Sequence, residues 1–321
     1  MSWTPDWVAF GNRLRKNDRH WSRWARREDT ECYRVYDRDL PDFPLQIDRY
    51  GPRLHVQLMH KGRWVEPGAL EALGEPLLDT VAAALANGER DRLAAKLRER
   101  GRGGEQYADA GQADGERFVV REHGLRFEVD LESRLDTGLF LDHRSTRARV
   151  RRLAQGRRFL NLFAYTGSFT VHAAAGGASG SLTLDLSRTY TDWARRNLAL
   201  NGLDRPEHAV MALDVLQWLE AVPTREQRFD LIVLDPPSFS NSKRMETSFD
   251  VQRDHPWLIQ RTLLRLAPDG ILIFSNNRRG FDLHAAELPA CHLTDITRAT
   301  TPPDFQRHPP HRCWEIRHRT P

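Results

Sequence analysis

The chain has 321 residues, of which 40% are hydrophobic and 29% charged, enough for one large or two modest globular domains. No apolar run approaches the roughly 20 residues a bilayer span needs, and Met1–Phe10 carries Trp, Pro and Asp where a signal core would be apolar, so a cytoplasmic location is expected and a membrane partner is not. Cys32, Cys291 and Cys313 are too few and too far apart for a disulfide framework or a CxxC metal pair.

The net charge is +4, and the positive residues cluster. Arg13, Arg15, Lys16, Arg19, Arg23, Arg26 and Arg27 crowd the start of the chain with Trp21 and Trp24 among them. Arg144, Arg147, Arg149, Arg151, Arg152, Arg157 and Arg158 form a second cluster, and Arg307–Arg319 a third. Solvated helix faces and polyanion-binding surfaces both account for such runs.

Trp7, Phe10, Leu14, Trp21 and Trp24 recur at roughly helical spacing, which predicts a basic helix over Trp7–Arg27. Glu31–Leu58 reads as extended and is broken by Pro41, Pro44 and Gly51-Pro52. Gly68–Arg100 predicts one or two helices with a break near Leu73-Gly74, and Arg102–Gly115 a loop. Phe118–Val120 and Leu125–Leu131 flank Glu122-His123-Gly124 as a hairpin. This divides the chain into a basic helical arm (1–28), a small α+β domain (29–115) and a larger domain (116–321).

Beyond residue 140 the pattern alternates strand and helix. Apolar strands are expected at Phe159–Phe163, Ser181–Leu186, Ala209–Leu213, Phe229–Leu234 and Gly270–Ser275. Helices are expected from Phe169 and over Thr189–Asn201, Val215–Ala221 and His255–Leu266. That rhythm predicts a parallel doubly wound sheet, with ligands at the C-terminal strand edges.

Each edge carries a polar motif. The first strand runs into Asn161-Leu162-Phe163-Ala164-Tyr165-Thr166-Gly167, a small-residue turn whose backbone N–H groups can approach an anion. It lacks the GxGxxG of a nicotinamide site. The second strand ends at Asp185-Leu186-Ser187, where an acid can accept both hydroxyls of a ribose. The third ends at Asp214-Val215, placed for an adenine amino group or for a helix N-cap. The fourth ends in Asp235-Pro236-Pro237-Ser238-Phe239. Its prolines stiffen the turn and remove N–H donors, leaving Asp235 and the carbonyls to accept from a flat base that Phe239 can stack on.

At these motifs the chain resembles the guanine-N7 methyltransferases of bacterial 23S ribosomal RNA, found in many bacteria as the C-terminal half of a fused two-activity enzyme. The likeness runs through Glu31–Arg34, Asp136–Arg144, Asn161–Gly167, Ser187–Tyr190 and Asn197–Leu203, and is closest at Asp235–Arg244, Phe249–His255 and Phe274–Phe281. The resemblance implies an α/β, class I, Rossmann-like methyltransferase with a mostly parallel sheet, preceded by a small α+β domain. It implies that S-adenosyl-L-methionine is used and S-adenosyl-L-homocysteine released. Phe140, Asp142, Arg144, Asn161, Phe163, Ala164, Tyr165, Thr166, Gly167, Asp185, Leu186, Ser187, Asn201, Asp214, Val215 and Asp235 would hold the donor. The hairpin segment Phe140–Arg144 would close over its methionine end. Asp235, Pro236, Pro237 and Phe239 would hold the base. Ser238, Lys243, Arg244, Asn276, Asn277, Arg278 and Arg279 would meet RNA. The implied partner is 23S ribosomal RNA or a large-subunit assembly intermediate.

The fused form also carries an upstream guanine-N2 methyltransferase that this chain lacks, so that activity is expected in a separate protein. The run Arg307–Arg312 departs from the family pattern too. Guanine N7 has a free in-plane lone pair and needs no general base, so Asp235 would orient the base. Cytosine-C5 chemistry needs a cysteine at the fourth or fifth edge, and neither edge has one. His308, His311 and Cys313 lack a fourth metal ligand at usual spacing, so no metal is expected. Spacing alone leaves N2-guanine, N6-adenine and non-catalytic RNA-binding readings open.

Overall fold

In a computed structural model the chain is described over residues 4–59, 64, 68–96, 116–133, 136–240 and 248–319. It divides into two compact units, Met1–Thr137 and Gly138–Pro321.

The first unit opens with helix α1 (Trp7–Arg27), started by Asp6, whose carboxylate accepts from Ala9 N at 2.8 Å. Phe10, Leu14 and Ala25 are buried on one face. Phe10 stacks on Phe43 with centroids 4.1 Å apart. Three antiparallel strands follow, β1 (Cys32–Asp37), β2 (Leu45–Tyr50) and β3 (Arg53–Leu58). Helix α2 (Ala69–Leu85) comes next, running unbroken through Gly74 and Pro76 where the sequence predicts a break. Tertiary packing overrides the weak local signal there: Leu77, Val81 and Leu85 are buried against the sheet residues Val35, Ile47 and Val56. Leu93–Lys96 lies inside the stretch expected to be helical but forms β4, which pairs in parallel with β3. The predicted loop Arg102–Gly115 lies outside the described residues.

The hairpin β5 (Phe118–Glu122) and β6 (Leu125–Val129) turns at His123 and Gly124, both at positive φ. It belongs to the first unit rather than to the larger domain. Thr30 bridges to Glu122, and the Glu31 carboxylate accepts from Arg121 N and Nε at 3.0 and 2.9 Å. Such pairings have no local sequence signature, so the division falls after Thr137 instead of at residue 115.

The second unit holds helix α3 (Arg144–Leu153), β7 (Arg158–Leu162), α4 (Ser168–Ala175), β8 (Gly180–Asp185), α5 (Arg188–Leu200), β9 (His208–Ala212), α6 (Val215–Glu220) and β10 (Phe229–Leu234). A short ladder of β11 (Phe239–Ser240) and β12 (Phe249–Asp250) precedes α7 (Val251–Leu263) and β13 (Leu266–Asn276). Then come β14 (Cys291–Asp295), α8 (Thr297–Thr300) and β15 (Arg312–His318). The sheet order is β14-β15-β13-β10-β7-β8-β9. β13, β10, β7, β8 and β9 are parallel, while β15 and β14 add antiparallel at one end. The expected parallel sheet is present. The antiparallel pair was not foreseen, because Arg312–His318 reads as a charged tail until its alternate residues Trp314 and Ile316 meet the core.

Strand β10 explains the uninterrupted apolar run. Leu231 and Val233 enter one core with Val150, Phe169 and Ala173, and Ile232 and Leu234 the opposite core with Leu258, Ile259 and Leu263. The chain winds from β7 through β8 to β9, then returns to β10 on the other side of β7. The C-terminal ends of β7 and β10 therefore border the switch point where open α/β sheets bind ligands. Among the described residues no helix is long and apolar enough to cross a membrane.

His55, buried on β3, is a pH-sensitive element of the first unit. Burial, with Lys96 and Arg34 nearby, pushes its pKa down to about 3. The folded ring stays neutral while the unfolded ring binds a proton below its ordinary 6.5. Stability is therefore lost as pH falls from 6.5 towards the folded value. Urea unfolding at about pH 7 and about pH 5 should show His55→Leu losing about 2 kcal/mol less than the unsubstituted chain over that interval.

Candidate active site

The turn after β7 is strained by design of its sequence. Phe163 and Tyr165 hold φ of 56° and 50°, and Gly167 holds 72°, a region non-glycine residues seldom visit. Gly167 is required on a second count. A Cβ there would lie 2.7 Å from Ala194 Cβ of α5, so only glycine lets that helix close on the turn. Tertiary hydrogen bonds hold the strain in place. Asn161 Nδ2 donates to Thr170 Oγ1 at 3.0 Å, and Asn197 Nδ2 donates to Thr166 O at 2.9 Å. Gly138 N donates to the Tyr165 hydroxyl at 2.8 Å, while Thr166 Oγ1 donates to Gly138 O at 2.6 Å. The Tyr165 ring sits 5.1 Å from Phe140 and 4.6 Å from Tyr190. Ala164 is buried behind it.

Asp185 ends β8. Its oxygens accept from Tyr165 N and Ser187 N, both at 2.9 Å. Burial raises its pKa against the pull of those two N–H groups. A carboxylate has about four acceptor positions, so the two N–H bonds leave it room for a diol. Ser187 caps α5 by accepting from Tyr190 N at 3.3 Å, and Leu186 between them is half-buried. Asp214 caps α6. Both cap bonds, from Leu216 N at 2.9 Å and Gln217 N at 3.4 Å, fall on Oδ1 and leave Oδ2 outside the cap. Val215 is buried in the core.

Asp235 follows β10. Ser275 Oγ, at the end of β13, donates to its Oδ1 at 2.6 Å. Its Oδ2 lies 3.4 Å from His143 Nε2. Pro236 is buried and Pro237 half-buried, while Phe239 is 44% exposed and free to meet a planar group. Ser238 Oγ donates to Asn277 Oδ1 at 2.7 Å, which ties this turn to the one after β13. There Asn276 Oδ1 accepts from Arg278 N at 3.1 Å, and its buried Nδ2 makes no hydrogen bond among the described residues. The loop is braced by α7. His255 is fully buried, with Nδ1 2.9 Å from Val251 O and Nε2 accepting from His284 N at 3.0 Å.

The chain matches the model of the S-adenosylmethionine-dependent methyltransferases over residues 36–314. It belongs to that family. It is 49% identical over 315 residues to ribosomal RNA large subunit methyltransferase K of Neisseria meningitidis, covering 98% of this chain and 88% of that protein. It is 47% identical to ribosomal RNA large subunit methyltransferase K/L of Methylococcus capsulatus, covering 96% of this chain but 42% of that longer protein. Its fold matches SMU.776, described as a putative methyltransferase complexed with SAH, with a TM-score of 0.74 at 21% identity over 98% of this chain and 83% of that one. S-adenosylmethionine is thus the methyl donor.

Several expected contacts are otherwise engaged in this methyltransferase. Phe140–Arg144 is not a hairpin: Leu141–His143 is a short 3-10 turn leading into α3. Arg144 is fully buried and grips Asp304 through two bonds of 2.9 and 3.2 Å, which takes its guanidinium away from any donor carboxylate. Asn201 Nδ2 donates to Asn197 O at 2.8 Å as part of the α5 end. Arg278 pairs with Asp250, whereas Arg279 is exposed. Lys243 and Arg244 lie outside the described residues. His143, His311 and Ser275 were missed as site residues. His143 stood inside the quoted Asp136–Arg144 run, but nothing local marks which carboxylate it meets.

Gly167→Ala should weaken S-adenosylmethionine binding in calorimetry and lower unfolding stability by about 1–3 kcal/mol. Unchanged values for both would mean the turn tolerates a Cβ against Ala194.

Proposed function

We propose that this chain transfers the methyl group of S-adenosylmethionine to N7 of a guanine in 23S ribosomal RNA. The names of its relatives supply the large-subunit RNA. The Asp235–Phe239 turn, a carboxylate anchored by Ser275 beside two prolines and an exposed aromatic ring, supports a flat base as acceptor, and the choice of guanine N7 rests on the resemblance.

The donor presents a methyl on a positively charged sulfur. This chain's residues have to bring an acceptor into line with it, and such positioning contributes roughly 7–11 kcal/mol. Asp185 accepts the ribose hydroxyls, Asp214 Oδ2 the adenine amino group, and the strained turn Phe163–Gly167 packs against the rest. Asp235 accepts N–H groups from the base edge, and Phe239 stacks on its face. No proton need leave N7, so Asp235 orients and, as a carboxylate, offsets the positive charge the base acquires. C5 chemistry has no support, because Cys313 is buried and its thiol is pushed above the ordinary range by that burial.

RNA phosphates meet the solvent face of α1. Lys16, Arg19, His20, Arg23 and Arg27 line a pocket of about 390 Å³ along it, at spacings that put them on one helix face. Such cations bind phosphates without reading sequence. The K/L relatives are more than twice as long as the segment this chain matches.

Nucleoside mapping of 23S ribosomal RNA from a deletion strain should lose one 7-methylguanosine. Loss of an N2-methylguanosine or N6-methyladenosine instead would reassign the acceptor atom, and no change would leave a binding role. Asp235→Ala should lower kcat/KM by about 10²–10³ with donor affinity nearly kept. Replacing Arg19, Arg23 and Arg27 together with alanine should cut the slope of log affinity against log salt by about two to three. An unchanged slope would remove α1 from the RNA surface.

A further inference from the structure

Four titratable side chains from three distant parts of the chain meet beside the Asp235 turn. His143 Nε2 lies 3.4 Å from Asp235 Oδ2 and 3.9 Å from Asp142 Oδ2. His311 Nδ1 lies 2.9 Å from Asp142 Oδ2. The two imidazoles stack with centroids 4.4 Å apart and planes 18° from parallel. The His143 ring also meets Phe169, with centroids 5.6 Å apart in a T-shaped arrangement. His143 and His311 are buried, and His311 Nε2 is 3.4 Å from Thr300 Oγ1.

Chelation is one reading of Asp142, His143 and His311, whose ligand atoms lie within 4.8 Å of one another. The ring geometry opposes it. Imidazole lone pairs lie in the ring plane, and two nearly parallel planes 4.4 Å apart do not converge on one ion. Hydrogen bonding fits better. Although burial pushes the Asp142 carboxyl up, His143 and His311 together hold it well below its ordinary value. It is a carboxylate and only accepts, so His311 Nδ1 carries a proton. Burial lowers the pKa of His143 against the pull of Asp235 and Asp142. A ring whose Nε2 faces two carboxylates keeps a proton on Nε2, and Nδ1 is a buried atom without a hydrogen-bond partner among the described residues.

We infer that His143 is a positioning residue for the methyl-transfer reaction: its Nε2–H holds Asp235 Oδ2 while Ser275 holds Oδ1, and the Asp142–His311 pair clamps the His143 ring. This rests on the reading of Asp235 as the group that orients the base. With both oxygens tethered, the carboxylate plane is set before the base arrives. A misplacement of about 1 Å at such a site costs on the order of 10²-fold in rate. The inference also gives the run Arg307–Arg312 a purpose. His311 stands just before β15 and stacks on His143, so this residue of the run braces the turn.

The test compares His143→Gln with His143→Met, two flexible side chains of similar volume with and without an N–H donor. Purified enzyme, S-adenosylmethionine and large-subunit RNA are used, with thermal unfolding alongside. The expected result is a kcat about 10–100-fold down for the Met variant, with the donor KM and melting temperature close to those of the Gln variant, and Gln within a few-fold of the unsubstituted enzyme. In an Asp235→Ala background the Met change should have no further effect. Equal losses for Gln and Met, full activity of Met, or a further loss in the Asp235→Ala background would each overturn the positioning role. Full activity of Asp235→Ala by itself would instead overturn the reading of the turn.

Discussion

A pair of parallel strands, β7 and β10, lies at the centre of the second unit, and both faces of β10 are apolar. Such strands can exist only if helices cover both sides of the sheet, as α3 and α4 do on one side and α6 and α7 on the other. Because the chain leaves β7 in one direction and returns to β10 from the other, their ends open onto a gap no crossover covers. The polar residues of the site stand around that gap. Remove the two-sided burial and Asn161, Asp185 and Asp235 would no longer share an edge.

Two kinds of restraint then turn an edge into a site. Backbone restraint comes from the turn after β7, where positive φ at Phe163, Tyr165 and Gly167 is held by Asn197, Gly138 and the close approach of Ala194. Side-chain restraint comes from hydrogen bonds that fix acceptors before a ligand arrives, as at Asp185 between Tyr165 and Ser187. At Asp235 the Ser275 hydroxyl donates to one carboxylate oxygen, and His143 Nε2 lies 3.4 Å from the other. Methyl transfer asks first for alignment of acceptor, methyl and sulfur, so a site built from fixed acceptors suits it.

Local pattern carried a good deal of this. The strand–helix alternation, the acids at successive strand ends and the Asp-Pro-Pro-Ser-Phe turn all stand in contiguous sequence, and the structure puts them on one sheet edge. Arg144 shows where pattern misleads. It sat in a motif beside Asp142, and a cation there looked available for a carboxylate, yet it is buried against Asp304, 160 residues away. Leu93–Lys96 misled for a related reason, since Leu, Ala, Ala and Lys are strong helix formers, yet they became an edge strand because β3 offered backbone to pair with.

The sequence by itself determined the fold class and the chemistry of the two turns, because periodicity, glycine and proline act over a few residues. Only the tertiary structure decided which partners those turns have. Ser275 and His143 reach Asp235 from 40 and roughly 90 residues away, and His311 reaches Asp142 from 169. A carboxylate's orientation depends on donors that chain folding delivers, and no short-range pattern records which donors those will be.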